Sequence, residues 1–295
     1  MRIDILAIGS RGDVQPYVAL GVGLQTTGHR VRIVTLGGFE ELVGGRGLDH
    51  LSIGGSLREI QNTAAGRDWV EHRGSTVGFL HGFVRVAGPL IEAGIASYWH
   101  ACRDAEALIV SPMGLLVGVH IAEQLRAPLI RAQLAPVAPT RYDWAGRRNL
   151  MTAVLGDWTA FLGAVFRLLI WSNLRHTTNA ARWNILSLPP LSLKEPFRTM
   201  DRMHIPVLDA YSPAVVARPP DWGSWIRVTG YWFLDDTPGW VPPGELVDFL
   251  ASGLPPVLVG FGSTPFPQPE ATTDLVVRAL ARAGQRGVVL AGGSG

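Results

Sequence analysis

The stretch IDILAIGSRGDVQPYVALGVGLQTTGHRVRIVTL, Ile3 to Leu36, decides the fold. Its opening IDILAI, Ile3 to Ile8, is rich in β-branched residues and reads as a short strand. Apolar positions then recur at Val14, Val18, Leu20, Val22 and Leu24, with Pro16 in the first turn of a helix and Gly28 placed to end it. HRVRIVTL follows as a second strand. Strand, helix, strand in one uninterrupted run is a βαβ unit, and its right-handed crossover implies a parallel sheet.

The alternation resumes downstream, where ALIVSP (Ala107 to Pro112) reads as a buried strand, GLLVGVHIAEQLRA as a helix and PLIRAQL as another strand. The sheet is therefore expected to continue through at least residue 134. Residues 135–150 form a loop containing Pro and Arg, and an aromatic helical region runs from about Gly156 to Asn184 until LSLPPLSL breaks it. From Arg218 to Pro243 the text is dense in Pro, Gly and Trp, which describes an ordered linker holding one short strand, IRVTGYW. A second βαβ unit opens near residue 244, with PPVLVGFGS as its first strand and turn and QRGVVLAGG as its second strand. The expected division is a Rossmann-like domain over 1–217, a linker over 218–243, and the start of a further domain over 244–295. That last piece holds about a third of an ordinary ~150-residue α/β domain.

Composition narrows the function classes. Hydrophobic residues make up 47% and charged residues 17% of the 295, the balance of a well-buried globular protein. With 26 basic and 24 acidic residues the net charge is +2, and no dense basic run tracks a phosphate backbone, so nucleic acid is not expected as a partner. Cys102 is the sole cysteine, which rules out an intramolecular disulfide and leaves no zinc-type Cys/His spacing; no metal is expected. A reducing, cytoplasmic setting fits, since MRID leads straight into a strand without signal-peptide regions. The most apolar stretch, WTAFLGAVFRLLIW (Trp158 to Trp171), is too short to span a bilayer and contains Arg167. Its aromatic face, Trp158, Phe161, Phe166 and Trp171, reads first as core, with a hydrophobic acceptor pocket or peripheral membrane contact as the alternative.

In an open α/β sheet, ligands sit outside the carboxyl ends of the strands, which singles out two turns, GSRGDVQP (9–16) and GFGSTPFP (260–267). In the first, Gly9 and Gly12 let the backbone turn sharply, and Ser10 and Arg11 accompany Asp13 at the helix start. One reading makes Asp13 an N-cap. The other makes it a carboxylate facing the cleft, able to take a proton from a bound hydroxyl. The positive end of a helix favours the ionised form, so that role needs desolvation when substrate arrives. The RGD tripeptide matches an adhesion motif, but it abuts a buried strand rather than an exposed loop. The glycines of GVGLQTTG fall inside the helix, and no acidic residue ends the second strand, which counts against dinucleotide binding. In the second turn, Gly262, Ser263 and Thr264 offer N–H groups and hydroxyls to a phosphate or diphosphate; an ordinary strand-to-helix turn is the alternative.

GSRGDVQPYVALGVGLQTTGHRVRIVT, PVLDAYSPAVVARPPDWGSWIRVTGYWFLD and PPVLVGFGST together resemble, in the same order, the sterol glucosyltransferase-like UDP-glycosyltransferases. These in turn resemble bacterial antibiotic glycosyltransferases. The resemblance implies a GT-B fold, two Rossmann-like lobes with parallel sheets, here with the second lobe incomplete. It implies inverting, metal-independent transfer of a hexose from a UDP-sugar, a co-substrate rather than a cofactor, to a hydroxyl of a lipophilic acceptor: a sterol, lipid or secondary metabolite. Asp13 is then the expected base, and Gly262, Ser263 and Thr264 the expected diphosphate contacts. APVAPTRYDW matches the family's Pro-Thr loop, so Pro139, Thr140 and Arg141 are expected to border the acceptor. The family's histidine- and glycine-rich donor signature is not within residues 1–295, and a non-catalytic acceptor-binding module is the competing expectation, with a nucleotide-sugar epimerase or dehydrogenase behind it.

Overall fold

The computed structural model describes residues 1–71, 76–138, 140, 142, 158–193, 204–235, 241–262 and 269–290. Among the described residues nine strands fall into two parallel sheets. The larger has seven, β1 (Arg2–Leu6), β2 (Arg30–Gly37), β3 (Asp49–Ser56), β4 (Ala107–Val110), β5 (Leu129–Gln133), β6 (Val207–Asp209) and β7 (Ile226–Val228), in the order β3-β2-β1-β4-β5-β6-β7. The smaller pairs β8 (Val257–Gly260) with β9 (Gly287–Leu290).

Side-chain parity assigns the two faces of the larger sheet. Ile3 and Ile5 on β1, Ala7 just past its end, Val31 and Ile33 on β2, and Ala107 and Ile109 on β4 share one core with Val14, Tyr17 and Val18 of α1 (Arg11–Thr26). Leu6, Val34, Leu108 and Val110 face the other way. There they meet α5 (Thr76–Ala101), α6 (Leu115–Leu125) and α7 (Trp158–Asn184), through Ile91, Ile95, Val117, Ile121 and Leu174. Three short helices, α2 (Glu40–Gly44), α3 (Leu57–Asn62) and α4 (Ala64–Glu71), complete the crossovers. Strands covered on both faces by helices are the doubly wound arrangement, which the repeated strand-helix text foreshadows.

The same parity puts two polar residues of β1 and β2 on the α5 face. Arg32 donates to both carboxylate oxygens of Asp4 at 3.1 and 2.8 Å, and the Tyr98 hydroxyl donates to Asp4 at 2.7 Å. Burial, then the Asp4 charge, pushes the neighbouring Cys102 thiol up to about 12, so the sole cysteine is an inert thiol. This network lies at the entry ends of the strands, away from the ends where ligands bind in such sheets. A second buried group joins α6 to α7: the fully buried Arg182 reaches Glu123 at 2.7 and 3.1 Å, His120 Nδ1 at 3.1 Å and the Pro189 carbonyl at 3.0 Å. Burial first, and then the Arg182 charge, holds His120 down at about 3; it stays neutral.

The expected linker strand IRVTGYW is ordered as β7 only over Ile226–Val228, and it hydrogen-bonds to β6 as the last strand of the larger sheet. Beyond it, Trp232 and Leu234 pack back on the α1 core, with Trp232 edge-on to Tyr17 at 5.7 Å between ring centroids. Helices α8 (Gly244–Ala251) and α9 (Pro269–Arg282) accompany the small sheet. No helix among the described residues is long and apolar enough to cross a membrane.

Candidate functional site

The strand order reverses between β1 and β4. From β1 the chain proceeds outward to β2 and β3, and from β4 it proceeds in the opposite direction to β5, β6 and β7. A crevice opens at such a switch point, at the carboxyl ends of the two strands. The turn after β1 runs from Ala7 to Ser10, and the turn after β4 begins at Ser111.

Serine, not aspartate, caps α1. Ser10 stands at the N-cap position with an extended backbone, and Asp13 is three residues on. The Asp13 carboxylate accepts from the Ser10 N–H at 2.8 Å and from the Ser10 hydroxyl at 2.9 Å, both through Oδ2. That is the backward half of a capping box, which the spacing S-x-x-D encodes. The sequence alternative of Asp13 as N-cap therefore shifts by three residues. Asp13 is exposed, and its Oδ1 has no hydrogen bond among the described residues. One oxygen is held and the other is open to a ligand.

Gly9 makes this fold-back feasible. Its φ is +150°, and a β-carbon there would stand 2.4 Å from Asp13 Oδ2. Behind the turn, Tyr17 donates its hydroxyl to the Ala132 carbonyl at 2.7 Å, tying α1 across the sheet to β5. Burial, and secondarily the Asp13 charge, raises the Tyr17 phenol above its ordinary range, so it remains a donor. Arg11 is exposed and donates to Gln15 at 2.9 Å, while Gly12 sits exposed in the first helical turn.

Ser111 braces the crevice and was not singled out from the sequence. Its buried hydroxyl oxygen accepts the N–H groups of Ile8 at 3.3 Å and Gly114 at 3.0 Å, and its own N–H donates to the Leu6 carbonyl at 2.8 Å. A β-carbon on Gly114 would lie 2.4 Å from the Leu6 carbonyl oxygen, so the two turns touch. The signal available in the text was the S-x-x-G spacing directly after a buried strand.

The other expected site residues divide. Thr140 donates to Asp221 Oδ1 at 2.7 Å and accepts the Tyr142 N–H at 3.1 Å. Pro139, Arg141, Ser263 and Thr264 lie outside the described residues. Gly262, exposed and two residues past the end of β8, has φ of +62°, the left-handed conformation expected of a glycine-rich turn. Of the aromatic helix face, Trp171 is buried and its indole N–H donates to the Ser192 carbonyl at 3.0 Å; the side chains of Trp158, Phe161 and Phe166 are outside the described set.

A buried acidic residue adds to the carboxyl edge of the sheet. Asp209 on β6 and Gln133 on β5 are register partners, both buried, and among the described residues the two Asp209 carboxylate oxygens and Gln133 Oε1 have no hydrogen-bond partner. Burial pushes the Asp209 carboxyl up to about 6, with the Arg131 charge pulling the other way.

Two turns are locked together at the switch point, and one presents a half-free carboxylate. Residues 3–142 match the model of the glycosyltransferase family 28 N-terminal domain. Along its whole length the chain is 36% identical to the sterol 3-beta-glucosyltransferases of Glomerella lagenarium and Aspergillus oryzae, of which it spans 20% and 21%. The chain thus covers about a fifth of those relatives. In fold it matches GT-B glycosyltransferases. Ninety-eight per cent of it overlays on 63% of CalG4, the calicheamicin glycosyltransferase, with a TM-score of 0.55 and 16% identity. The same share overlays on 68% of the Streptomyces sp. SF2575 glycosyltransferase SsfS6 complexed with thymidine diphosphate, with a TM-score of 0.51 and 17% identity.

Proposed function

We propose that the protein containing this chain transfers a hexose from a UDP-sugar to a hydroxyl of a lipophilic acceptor, with inversion, and that Asp13 is the general base. The observation that carries this reading is the Asp13 carboxylate itself, anchored through Oδ2 by Ser10 and open at Oδ1 beside the family 28 domain's switch-point crevice. The names of the relatives support a 3β-hydroxysterol as acceptor, and thymidine diphosphate on SsfS6 supports a nucleoside diphosphate donor.

In this reading residues 1–217 hold the acceptor, 218–243 connect, and 244–295 begin the donor lobe. Asp13 Oδ1 takes the acceptor hydroxyl proton as the oxygen attacks the anomeric carbon. The bond from that carbon to the diphosphate oxygen breaks, and its electron pair leaves with UDP. N–H groups and hydroxyls of Gly262, Ser263 and Thr264 stabilise that developing charge. Ser10 and Arg11, with Gly12, shape the turn around the base. A carboxylate is a weak base in water, so closure over the acceptor must strip water from Oδ1 to make proton transfer effective.

The test is transfer by the full natural protein from UDP-glucose to ergosterol. Asp13→Asn keeps an oxygen for the Ser10 N–H but cannot take a proton, and kcat is expected to fall by about 10²–10⁴-fold with UDP affinity unchanged. Turnover at the wild-type level would remove Asp13 from the role.

A further inference from the structure

The segment Arg218–Trp222, RPPDW, is not a slack connector. Arg218 folds its guanidinium back over the turn, with Nη2 donating to the carbonyls of Trp222 at 2.8 Å and Gly223 at 3.0 Å and reaching that of Ile226 at 3.4 Å. Pro219 and Pro220 fix two further φ angles. Trp222 is buried with Val207, Tyr211 and Ile226, and Ala138, from the loop that leaves β5, packs against the same cluster. Strand β7 begins four residues later and pairs with β6. The turn is therefore anchored by a cation cradle on one side, an indole plug beneath and a strand behind.

From this stiff turn the exposed Asp221 reaches across 81 residues of sequence to the hydroxyl of Thr140. That hydroxyl is used in both directions: its proton goes to Asp221 and its oxygen takes the Tyr142 N–H. One side chain thus fixes the rotamer of Thr140 and, through it, the backbone of the loop. Strand β5, from which the loop leaves, lies two strand spacings, about 10 Å, from β1 in the sheet.

We propose that Arg218–Trp222 is a clamp on the loop after β5, with Asp221 the positioning residue that sets Thr140 against the acceptor. The acceptor part rests on the reading of the crevice as a glycosyl-acceptor site, whereas the clamp itself does not. Because the Asp221 to Thr140 bond is exposed, it contributes little to global stability; its effect is on where one loop stands.

Two measurements on the full natural protein separate these layers. In hydrogen exchange, Asp221→Ala and Thr140→Val are expected to speed exchange of the Tyr142 amide by about tenfold or more while amides of β1 and β4 keep wild-type rates. Thr140→Ser, which retains the hydroxyl, is expected to stay at the wild-type rate. In steady-state transfer from UDP-glucose to ergosterol, the two disruptive variants are expected to raise the acceptor KM about tenfold, leave kcat within about twofold and leave the UDP-glucose KM unchanged. Wild-type exchange at Tyr142 in Asp221→Ala overturns the clamp. Faster exchange with an unchanged acceptor KM overturns the positioning role. Full turnover in Asp13→Asn, or no transfer by the wild type, sinks the enzymatic reading instead, and the exchange rates still decide the clamp.

Discussion

Strands β1 and β8 are each short and aliphatic, each leads through a glycine-bearing turn into a helix, and each pairs in parallel with the strand that follows that helix. Their surroundings differ. Ile5 and Leu6 are fully buried, because β1 lies between β2 and β4 with helices on both faces, whereas Leu258 is 66% exposed and β8 has β9 as its one described neighbour. Leu254, Leu275 and Leu290 around the small sheet are exposed as well. Periodicity and turn chemistry are local and specify the element; burial comes from neighbours, and a βαβ unit supplies two strands of what a sheet needs.

The sharpest way to break that comparison is to remove the same kind of side chain from both strands. In the 295-residue chain, Ile5→Ala is expected to lower unfolding free energy by about 2–5 kcal/mol, since it opens a cavity under α1. Leu258→Ala is expected to cost under about 0.5 kcal/mol, the usual effect of an exposed substitution. Denaturant midpoints followed by far-UV circular dichroism measure both. Equal losses would mean that β8 is packed as β1 is.

How much of this was legible follows the same division. The seven-stranded sheet could be read at β1, β2, β4 and β5 because their apolar runs are bounded by turn residues. The 26-residue α5 was not read, for it carries Pro89 and glycines at 78, 82, 88 and 94, each a helix-weakening signal. Two of those glycines are there for packing: a β-carbon on Gly94 would stand 3.0 Å from Val117, and one on Gly82 would stand 2.8 Å from Trp69. At the site, Asp13 was legible because it belongs to a local motif. Ser111 and Asp221 were not, because each acts on residues that only the strand order brings near, Ile8 in one case and Thr140 in the other.

Asp209 sharpens the comparison by charge. On β6 it is sealed in with no hydrogen bond to its carboxylate among the described residues, a situation the open small sheet does not impose on its own charged groups, such as the water-facing Glu245 and Glu270. Burial raises the folded-state carboxyl to about 6 from an ordinary 3.8, so the folded protein holds a proton that the unfolded chain releases. Stability from this group is thus complete below about pH 3.8 and declines as pH rises to about 6, by roughly 2–3 kcal/mol. Asp209→Asn, which cannot ionise, is expected to flatten that decline. Thermal unfolding at pH 4.5 and pH 7.5 reads it out: the variant should gain stability relative to wild type at the higher pH. An unchanged pH dependence would show that Asp209 finds a partner when ionised.

The smallest effects compare the two glycine turns themselves. Gly9 and Gly262 both hold positive φ, so alanine at either strains the backbone. At Gly262 a β-carbon would meet nothing within 4 Å, and the cost is expected to stop at about 1 kcal/mol. At Gly9 it would collide with Asp13 Oδ2, the oxygen that Ser10 holds, so about 2 kcal/mol is expected together with a displaced carboxylate. The two losses are close enough that stability alone separates them poorly, but turnover does not share that weakness. If Asp13 is the base as proposed, Gly9→Ala in the full natural protein should lower kcat for sugar transfer well beyond what its unfolded fraction explains, because the carboxylate moves. Should Gly9→Ala keep wild-type kcat, the carboxylate would have to work equally well from another position, and the fold-back onto Ser10 would be a helix cap and nothing more.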